Sequence, residues 1–305
     1  MLELMLEEKY RTLRGILAGM RSVAIGYSGG VDSTLLLKVA FDELGPGVLA
    51  MIGQSATYPT REFEEAVALA ERMGVRYVVV RTEETDDLKF SENPPDRCYY
   101  CKTELFGKLK ELAGQEGIAW IADGTITDDA GDFRPGMRAK SENCVRSPLL
   151  EAGMSKEEVR ALSQHLGLPT WDKPSFACLS SRFPYGTGIN PENLSRVDRA
   201  ESFLRDAGFR RFRVRFHDAN TARIEIAPDD MPRCMDPSFR GGLVQHFKEL
   251  GFIYVTLDLQ GYRTGSMNEV LSATEKEGYL QPVPAAGPGA ASTRLTPEAA
   301  QGGSV

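Results

Sequence analysis

The stretch Tyr27-Ser28-Gly29-Gly30-Val31-Asp32-Ser33-Thr34 decides the fold, because it joins a predicted strand to a predicted helix. The apolar run at residues 23–27 indicates the buried strand, and residues 34–40 indicate the helix. A glycine turn at a helix N-terminus makes an anion site, since backbone amides and the positive helix end point at one spot. The two serines add hydroxyl donors. Asp32 would repel phosphates unless a cation lay between, so we interpret it as a Mg²⁺ ligand, directly or through water.

Strands and helices alternate along the first part of the chain. Apolar runs at residues 48–53, 76–80 and 118–122 predict three further strands, separated by segments with helical spacing. This alternation predicts an α/β fold, a doubly wound parallel sheet that binds its ligands at the carboxyl ends of the strands. The last of these runs ends at Asp123-Gly124.

The pattern changes near residue 190, where we predict a domain boundary. Residues 169–190 carry no regular signal, and a loop of this length inside a domain is usually functional. Residues 191–276 predict the order α-β-β-α-β, a smaller C-terminal α+β module. Residues 277–305 are rich in Ala, Gly, Pro, Ser and Thr, which predicts a disordered tail. The doubly wound domain then spans residues 1–190.

Length, charge and cysteine content limit the class of protein. The chain has 305 residues, 42% of them hydrophobic, which is enough for two packed domains. A net charge of −7 argues against a general nucleic-acid coat, which relies on an excess of Lys and Arg. The sequence contains no apolar run of about 18 residues, so it predicts no membrane span. The N-terminal residues include acids, unlike a secretory signal. Five cysteines suit a reducing compartment, so we expect a cytoplasmic protein.

Three cysteines are candidates for chemistry. Cys98 and Cys101 form a C-x-x-C at a predicted helix start, where the helix dipole favours thiolates. The pair alone indicates a redox pair or half of a zinc site, although a second C-x-x-C is lacking. Cys178, in the irregular loop, supplies a third thiol, and three thiolates at one point would suit a 4Fe–4S cluster with one open iron. Cys144 and Cys234 are interpreted as lone packed cysteines.

A row of basic residues marks the C-terminal module. Arg211, Arg213, Arg215 and His217 alternate along a predicted strand, which puts them on one side of the sheet. Like charges aligned in this way must be neutralised. Two interpretations stay open: a solvated or acid-paired face, and a face that binds a phosphate or another subunit.

Together these motifs resemble the LarE family of ATP-dependent sulfur transferases, one of the ATP pyrophosphatase families that carry an S-G-G-x-D-S phosphate loop, the PP-loop. The PP-loop is shared with many families, whereas the run near Cys178 and the arginine strand are more specific to the LarE family. Besides residues 27–34, the resemblance rests on Asp123-Gly124, Asp132-Phe133-Arg134-Pro135-Gly136, the run from Cys178 to Thr187, Arg213-Val214-Arg215-Phe216-His217, and the run from Leu257 to Arg263.

The resemblance implies chemistry with ATP and Mg²⁺. A carboxylate of a pyridinium mononucleotide is adenylated, and sulfur then converts it to a thiocarboxylate for the nickel-pincer nucleotide of lactate racemase. The resemblance also implies homo-oligomers assembled through the C-terminal module. Its implied site residues are Asp32 and Cys178 as catalytic residues, Ser28, Gly29, Gly30, Asp32, Ser33, Thr34 and Gly124 for ATP, and Arg213, Arg215 and Arg263 for a substrate phosphate.

Two variants of the family differ in their sulfur source. In one, the cysteine that matches Cys178 gives up its own sulfur and becomes dehydroalanine. In the other, three cysteines hold a 4Fe–4S cluster whose open iron carries sulfide from an external donor. The sacrificial variant lacks a counterpart of Cys98 and Cys101. Their presence here favours Cys98, Cys101 and Cys178 as cluster ligands.

Two other functions stay open. A tRNA thiolase also combines this loop with three cysteines, but it needs tRNA binding, which a net charge of −7 does not favour. The second is a sensor that holds ATP without turnover, and Asp32 and the paired cysteines speak against it. Release of pyrophosphate in the presence of a carboxylate would distinguish an enzyme from a sensor.

Overall fold

The structure, a computed structural model, describes residues 2–131, 136–263 and 265–272. Two predictions lie outside these residues: most of the motif at residues 132–136, and the disordered tail at residues 277–305. Seven strands, in two sheets, occur in the part of the chain that is described.

The first sheet is parallel throughout, as the alternation of strands and helices predicts. Its strands are β1 (Val23–Gly26), β2 (Val48–Gln54), β3 (Arg76–Arg81) and β4 (Ile121–Ala122). Their order across the sheet is β3-β2-β1-β4, so the chain moves outward from β1 in one direction and returns to pair on its other side. β4 is shorter than the predicted run, although Ala24 N still donates to Trp120 O at 2.8 Å just before it.

Eight helices accompany this sheet in the described residues. They are α1 (Leu2–Met20), α2 (Val31–Leu44), α3 (Thr60–Arg72), α4 (Leu88–Ser91), α5 (Arg97–Gln115), α6 (Gly136–Glu142), α7 (Pro148–Glu151) and α8 (Lys156–His165). α2 begins at Val31, so Asp32 lies in its first turn. α4 is a short helix in the polar segment between β3 and α5. α8 begins with a capping box, in which Ser155 and Glu158 each bond the other's backbone amide.

The core of this half forms where α1 and α2 cover the centre of the sheet. Leu13 and Leu17 of α1 are fully buried, and so are Val23 and Ile25 of β1. β1 is buried on both faces because a parallel sheet carries helices on both sides. The loop that leaves β1 therefore starts from a strand that is buried in the core.

The second half follows the predicted order α-β-β-α-β, with one additional short helix after its second strand. Its strands are β5 (Phe212–Asp218), β6 (Thr221–Ile226) and β7 (Tyr254–Leu257), and its helices are α9 (Pro191–Asp206), α10 (Met231–Met235) and α11 (Pro237–Glu249). β5 and β6 form an antiparallel hairpin, and β7 pairs in parallel with β6. Pro191 and Pro237 open α9 and α11, each behind a side-chain cap, Asn190 and Asp236.

Polar contacts join the two halves along α3 and α9. Thr60 Oγ1 donates to Asp198 at 2.8 Å, and Arg61 lies 2.7 Å from Asp206. Residues 169–190, between the halves, contain only one short 3₁₀ turn, Leu179–Arg182, which agrees with the irregular segment predicted there. None of the helices in the described part of the chain combines the length and the apolar character that a membrane crossing needs.

Candidate active site

The loop after β1 presents donors at the N-terminus of α2. Gly29 has a φ of +62°, in the left-handed region, and Gly30 is the N-cap of α2. Because a glycine has no side chain to cap the helix, the first-turn amides of α2 can face an anion. The hydroxyl oxygens of Ser28 and Ser33 lie 3.1 Å apart across this turn. Amides and hydroxyls therefore converge at one point.

Two glycines are required by close packing around this loop. A β-carbon at Gly124 would lie 2.8 Å from the backbone nitrogen of Ser33, and one at Gly29 would lie 2.8 Å from the β-carbon of Ala66. Gly124 follows β4 and Gly29 follows β1, the neighbouring strands between which the chain order changes direction. The site thus lies at the switch point where open α/β sheets bind ligands.

A buried polar network supports the turn that carries Gly124. Asp123 accepts hydrogen bonds from Ser147 Oγ and from Thr125 Oγ1, the second at 2.8 Å. The ammonium of Lys140, itself buried, lies 3.2 Å from Asp123 and also donates to Ser147. Sequence reasoning missed Lys140 and Ser147, because neither belongs to a recognisable motif.

Asp32 is paired with a lysine that sequence reasoning also missed. Lys156 Nζ, at the first residue of α8, lies 2.9 and 2.7 Å from the two carboxylate oxygens of Asp32. Burial raises the pKa of Asp32, and the ammonium of Lys156 opposes that shift. The nearby charge of Asp129 raises the pKa further. Lys156 lies at the capping box of α8, yet nothing in the local sequence indicated that its partner is Asp32.

A second lysine contacts the glycine turn directly. Lys173 Nζ donates to Gly29 O at 3.3 Å and lies 2.7 Å from Glu62 and 2.9 Å from Glu65 on α3. It also stands over the ring of Phe176, 6.0 Å from the ring centroid. A cation is therefore held beside the predicted phosphate position, where it can bind an oxygen of a nucleotide.

Cys178 lies in a segment that runs past this turn. The Phe176 ring approaches to 4.0 Å the position that a β-carbon would take at Gly30. It also packs edge-on against Tyr58, whose hydroxyl donates to Ser28 O. One residue beyond Cys178, Leu179 N donates to Thr57 O at 2.8 Å. The residues on both sides of Cys178 are thus attached to the nucleotide side of the sheet.

A buried arginine fixes the same segment to the C-terminal module. The Arg182 guanidinium donates to Ala177 O at 2.6 Å and to Cys178 O at 3.0 Å. Its other edge makes two hydrogen bonds to Glu201 of α9, at 2.9 and 2.7 Å. Arg182 and Glu201 are 1% and 4% exposed, so this is a buried, bidentate ion pair. The backbone of Cys178 is therefore positioned from both halves.

The three candidate thiols share one neighbourhood. Packing raises the pKa of the Cys101 thiol well above its ordinary value, and the charges of Glu84, Cys178 and Cys98 raise it further. Cys101 Sγ lies 3.9 Å from Glu84 Oε1, on a carboxylate that is itself buried. The sequence predicted thiolates from the helix dipole, whereas burial and a neighbouring carboxylate outweigh the dipole at Cys101.

The predicted arginines divide by their partners. Arg215 is buried and lies 2.7 Å from Glu225, and it also donates to Ser181 O at 3.0 Å. Arg213 donates to Ser175 O at 3.2 Å and stands over the Tyr262 ring. Arg263 pairs with the exposed Glu269 at 3.1 Å. Arg213 and Arg215 thus both contact the segment that carries Cys178, and the acid-paired interpretation holds for Arg215.

Comparison with known proteins extends over most of the chain. The NAD synthase family profile matches residues 7–97. An uncharacterized protein of Synechocystis is 46% identical over 88% of this chain and 100% of its own length. The pyridinium-3,5-bisthiocarboxylic acid mononucleotide synthase of Lactiplantibacillus plantarum is 40% identical over 88% of this chain and 97% of its own length. An NH₃-dependent NAD⁺ synthetase of Hyperthermus butylicus is 31% identical, but over only 50% of this chain.

The chain belongs to the LarE family. The predicted membership is confirmed, and so is the parallel α/β fold with a second, small sheet. The family is one of PP-loop enzymes that use ATP and transfer sulfur. The NAD⁺ synthetase, in contrast, resembles half of the chain alone, so likeness to LarE reaches beyond the shared PP-loop half.

The cofactors expected in this family can be compared with the side chains present. Mg²⁺ needs only one or two carboxylates beside substrate phosphates, and Asp32 with the nearby charge of Asp129 fits that chemistry. A cluster needs three ligands at one point. Within the described ranges, no group of three or more His, Cys, Asp or Glu side chains is arranged to hold a metal ion. The three thiols have the chemistry that a cluster needs and lie in one neighbourhood, but they do not surround a common point.

The other two cysteines of this LarE chain differ from each other. Cys234 is 5% exposed in the core of the C-terminal half, so its interpretation as a packed cysteine is confirmed. Cys144 is exposed and has a φ of +57°, so it is not packed as predicted. It follows α6 at a turn, which explains its exposure.

Proposed function

We propose that the protein adenylates a carboxylate of a pyridinium mononucleotide with ATP and then replaces the adenylate by sulfur, for nickel-pincer nucleotide biosynthesis. The observation that carries this proposal is the position of Cys178. Its loop approaches Gly30 through Phe176 and bonds Thr57 through Leu179, which supports a sulfur-bearing residue next to the predicted phosphate turn. The name of the Lactiplantibacillus relative supports the substrate class.

Adenylation uses the groups at the start of α2. A carboxylate oxygen of the substrate attacks the α-phosphorus, and pyrophosphate leaves. The amides of the turn, with Ser28 and Ser33, stabilise the charge that develops on the departing pyrophosphate. Asp32 would hold Mg²⁺, which supplies Lewis acidity at the phosphates. Lys173, beside Gly29, can add positive charge only by sharing it with Glu62 and Glu65.

Sulfur transfer follows because the adenylate is a good leaving group. A carboxylate is a poor electrophile, since its leaving group would be oxide, whereas an acyl-adenylate expels AMP. The attacking sulfur must be a thiolate or sulfide, because a neutral thiol is a weak nucleophile. Arg182 holds the backbone of Cys178 through its carbonyl, so the residue is oriented before substrate arrives.

We assign the substrate phosphate to the arginine strand, chiefly to Arg213. Burial lowers the pKa of Arg213, and the positive charge of Arg182 lowers it further. A bound dianion would relieve this repulsion. Arg215 is already neutralised by Glu225, and Arg263 pairs with Glu269, so both can contribute only by sharing their charge.

For the sulfur source, we propose the three-cysteine variant with a 4Fe–4S cluster on Cys98, Cys101 and Cys178. The charges of Cys98 and Cys178, which both raise the pKa of the Cys101 thiol, support a shared neighbourhood for the three side chains. When bound, such a cluster supplies an open iron that can carry sulfide from an external donor. The five cysteines, which form no disulfide with one another, also fit the reducing interior of a cytoplasmic protein, and we expect homo-oligomers in solution.

Anaerobic purification followed by iron, sulfide and absorbance analysis tests the sulfur source. The protein should be brown, and Cys98→Ala, Cys101→Ala and Cys178→Ala should each lose both the cluster and sulfur transfer. Cys144→Ala is the matched control, because Cys144 is exposed and outside the site. If only Cys178 matters and the protein loses about 34 Da, the mass of H₂S, the sacrificial mechanism replaces the cluster.

A pyrophosphate-release assay tests the first step independently of sulfur. ATP should release pyrophosphate only when a pyridinium carboxylate mononucleotide is present. Binding of ATP without any turnover, with every candidate carboxylate, would favour the sensor. Tight binding of tRNA with sulfur transferred to it would favour the thiolase.

A further inference from the structure

The pair between Lys156 and Asp32 conflicts with a metal-binding role for Asp32. In the structure both carboxylate oxygens accept from the ammonium, at 2.9 and 2.7 Å. A Mg²⁺ ion needs the same oxygens, and two cations cannot share them closely without strong repulsion. Lys156 must therefore leave Asp32 before a metal can bind there directly.

The backbone of Lys156 is fixed, so only its side chain can make this move. Its amide donates to Asp128 Oδ2 at 2.9 Å. The residue before it, Ser155, forms the capping box with Glu158, and Lys9 contacts Glu158 at 2.7 Å. The lysine stem is flexible and carries three donors, so the ammonium can swing about this anchored turn.

The solvent exposure of Lys156 and Asp32 agrees with an ion pair that can open to admit a metal ion. The side chains of Lys156 and Asp32 are 29% and 25% exposed, so water and ions reach both. An ion pair with this much solvent contact contributes little to stability, in contrast with the buried pair of Arg182 and Glu201. The ammonium also lies at the start of α2, where the nucleotide phosphates would bring negative charge.

We propose that Lys156 is an exchange cation. It neutralises Asp32 in the nucleotide-free protein, yields the carboxylate to Mg²⁺ as the nucleotide binds, and then binds a phosphate oxygen. The inference rests on the proposed use of ATP at this loop. Lys156 then has two opposite effects. Its ammonium weakens the binding of metal alone, because it competes for Asp32, and it strengthens the binding of the nucleotide.

Two binding measurements on Lys156→Met test this inference. Mn²⁺, as a probe for Mg²⁺, is titrated without nucleotide and followed by electron paramagnetic resonance. Its affinity should rise several-fold, because the competing ammonium is gone. ATP with Mg²⁺ is titrated by calorimetry, and its affinity should fall about tenfold through loss of a charge-assisted hydrogen bond. Lys156→Gln should behave alike and guards against a folding failure of the methionine variant.

Lys9→Met is the matched control. It removes an ammonium from the same helix cap, at Glu158, without touching Asp32, so both affinities should stay unchanged. If both affinities fall together in the Lys156 variants, or neither changes, Lys156 is only structural and the inference is wrong. If the unaltered protein binds no ATP, the proposed function fails and the inference with it. ATP binding by the unaltered protein with unchanged Lys156 variants overturns the inference alone.

Discussion

Replacing Arg182 by Met should destabilise the protein strongly, because it leaves the carboxylate of Glu201 buried without a cation. Glu201 is 4% exposed, and Arg182 provides both of its short charged contacts. Breaking a buried pair from one side costs about 3–5 kcal/mol. Val214 N still donates to Glu201 at 3.0 Å, so we expect a value near 3 kcal/mol.

Urea unfolding at pH 7, followed by circular dichroism, measures this loss. The double variant Arg182→Met/Glu201→Leu removes the unpaired carboxylate and should recover about 1–2 kcal/mol relative to the single variant. Arg61→Met, which breaks exposed pairs with Asp206 and Glu65, is the control and should change stability by less than about 1 kcal/mol. A loss below about 1 kcal/mol for Arg182→Met, or a double variant less stable than the single one, would refute this reasoning.

Three further predictions concern the nucleotide site and pH. Gly124→Ala should weaken ATP binding at least tenfold by calorimetry, because its β-carbon would meet Ser33 N at 2.8 Å and displace the turn; ordinary affinity would mean that the backbone yields freely. Asp32→Asn should abolish pyrophosphate release and leave the circular dichroism spectrum intact, whereas release at the parent rate with saturating Mg²⁺ contradicts its metal role. The third prediction concerns Glu201. Burial acts to raise the pKa of its carboxyl, but the Arg182 guanidinium outweighs burial and holds that pKa below its usual value. The stability that this ionisation contributes is therefore complete above about pH 4.3 and is lost as pH falls through the lower, folded pKa. Glu201→Gln should accordingly flatten the acid limb of stability in urea unfolding series, and an unchanged limb would assign it to other carboxylates.

The strand, glycine turn and helix could be predicted from sequence because all three are local. Apolar runs fix β1 and α2, and the glycines between them have a direct conformational reason. The same holds for the α-β-β-α-β order, which depends on alternation over a few residues. At β4 the local signal overestimated length, because only Ile121 and Ala122 pair regularly with β1.

Contacts between residues distant in sequence could not be predicted from these local patterns. Lys156 meets Asp32 across 124 positions, and no composition or spacing connects the two. Arg215 and Glu225 are a partial exception. Arg213 faces Glu225 in the register of β5 and β6, so Arg215 is its diagonal neighbour, and a hairpin alignment could have predicted this pair. Burial of Cys101, which reverses the effect of the helix dipole, depends on tertiary packing alone.

The loop around Cys178 is tied at Tyr58, Thr57 and Glu201, and this has a consequence for the rate of sulfur transfer. A free loop would have to be ordered in every catalytic cycle, and that entropy would add to the barrier. Here the ordering cost is met once, when the chain folds. Substitutions that loosen α9, far from any phosphate, should then slow sulfur transfer while leaving adenylation intact. Measuring the two steps separately in such variants would show how strongly the packing of α9 determines the rate of sulfur transfer.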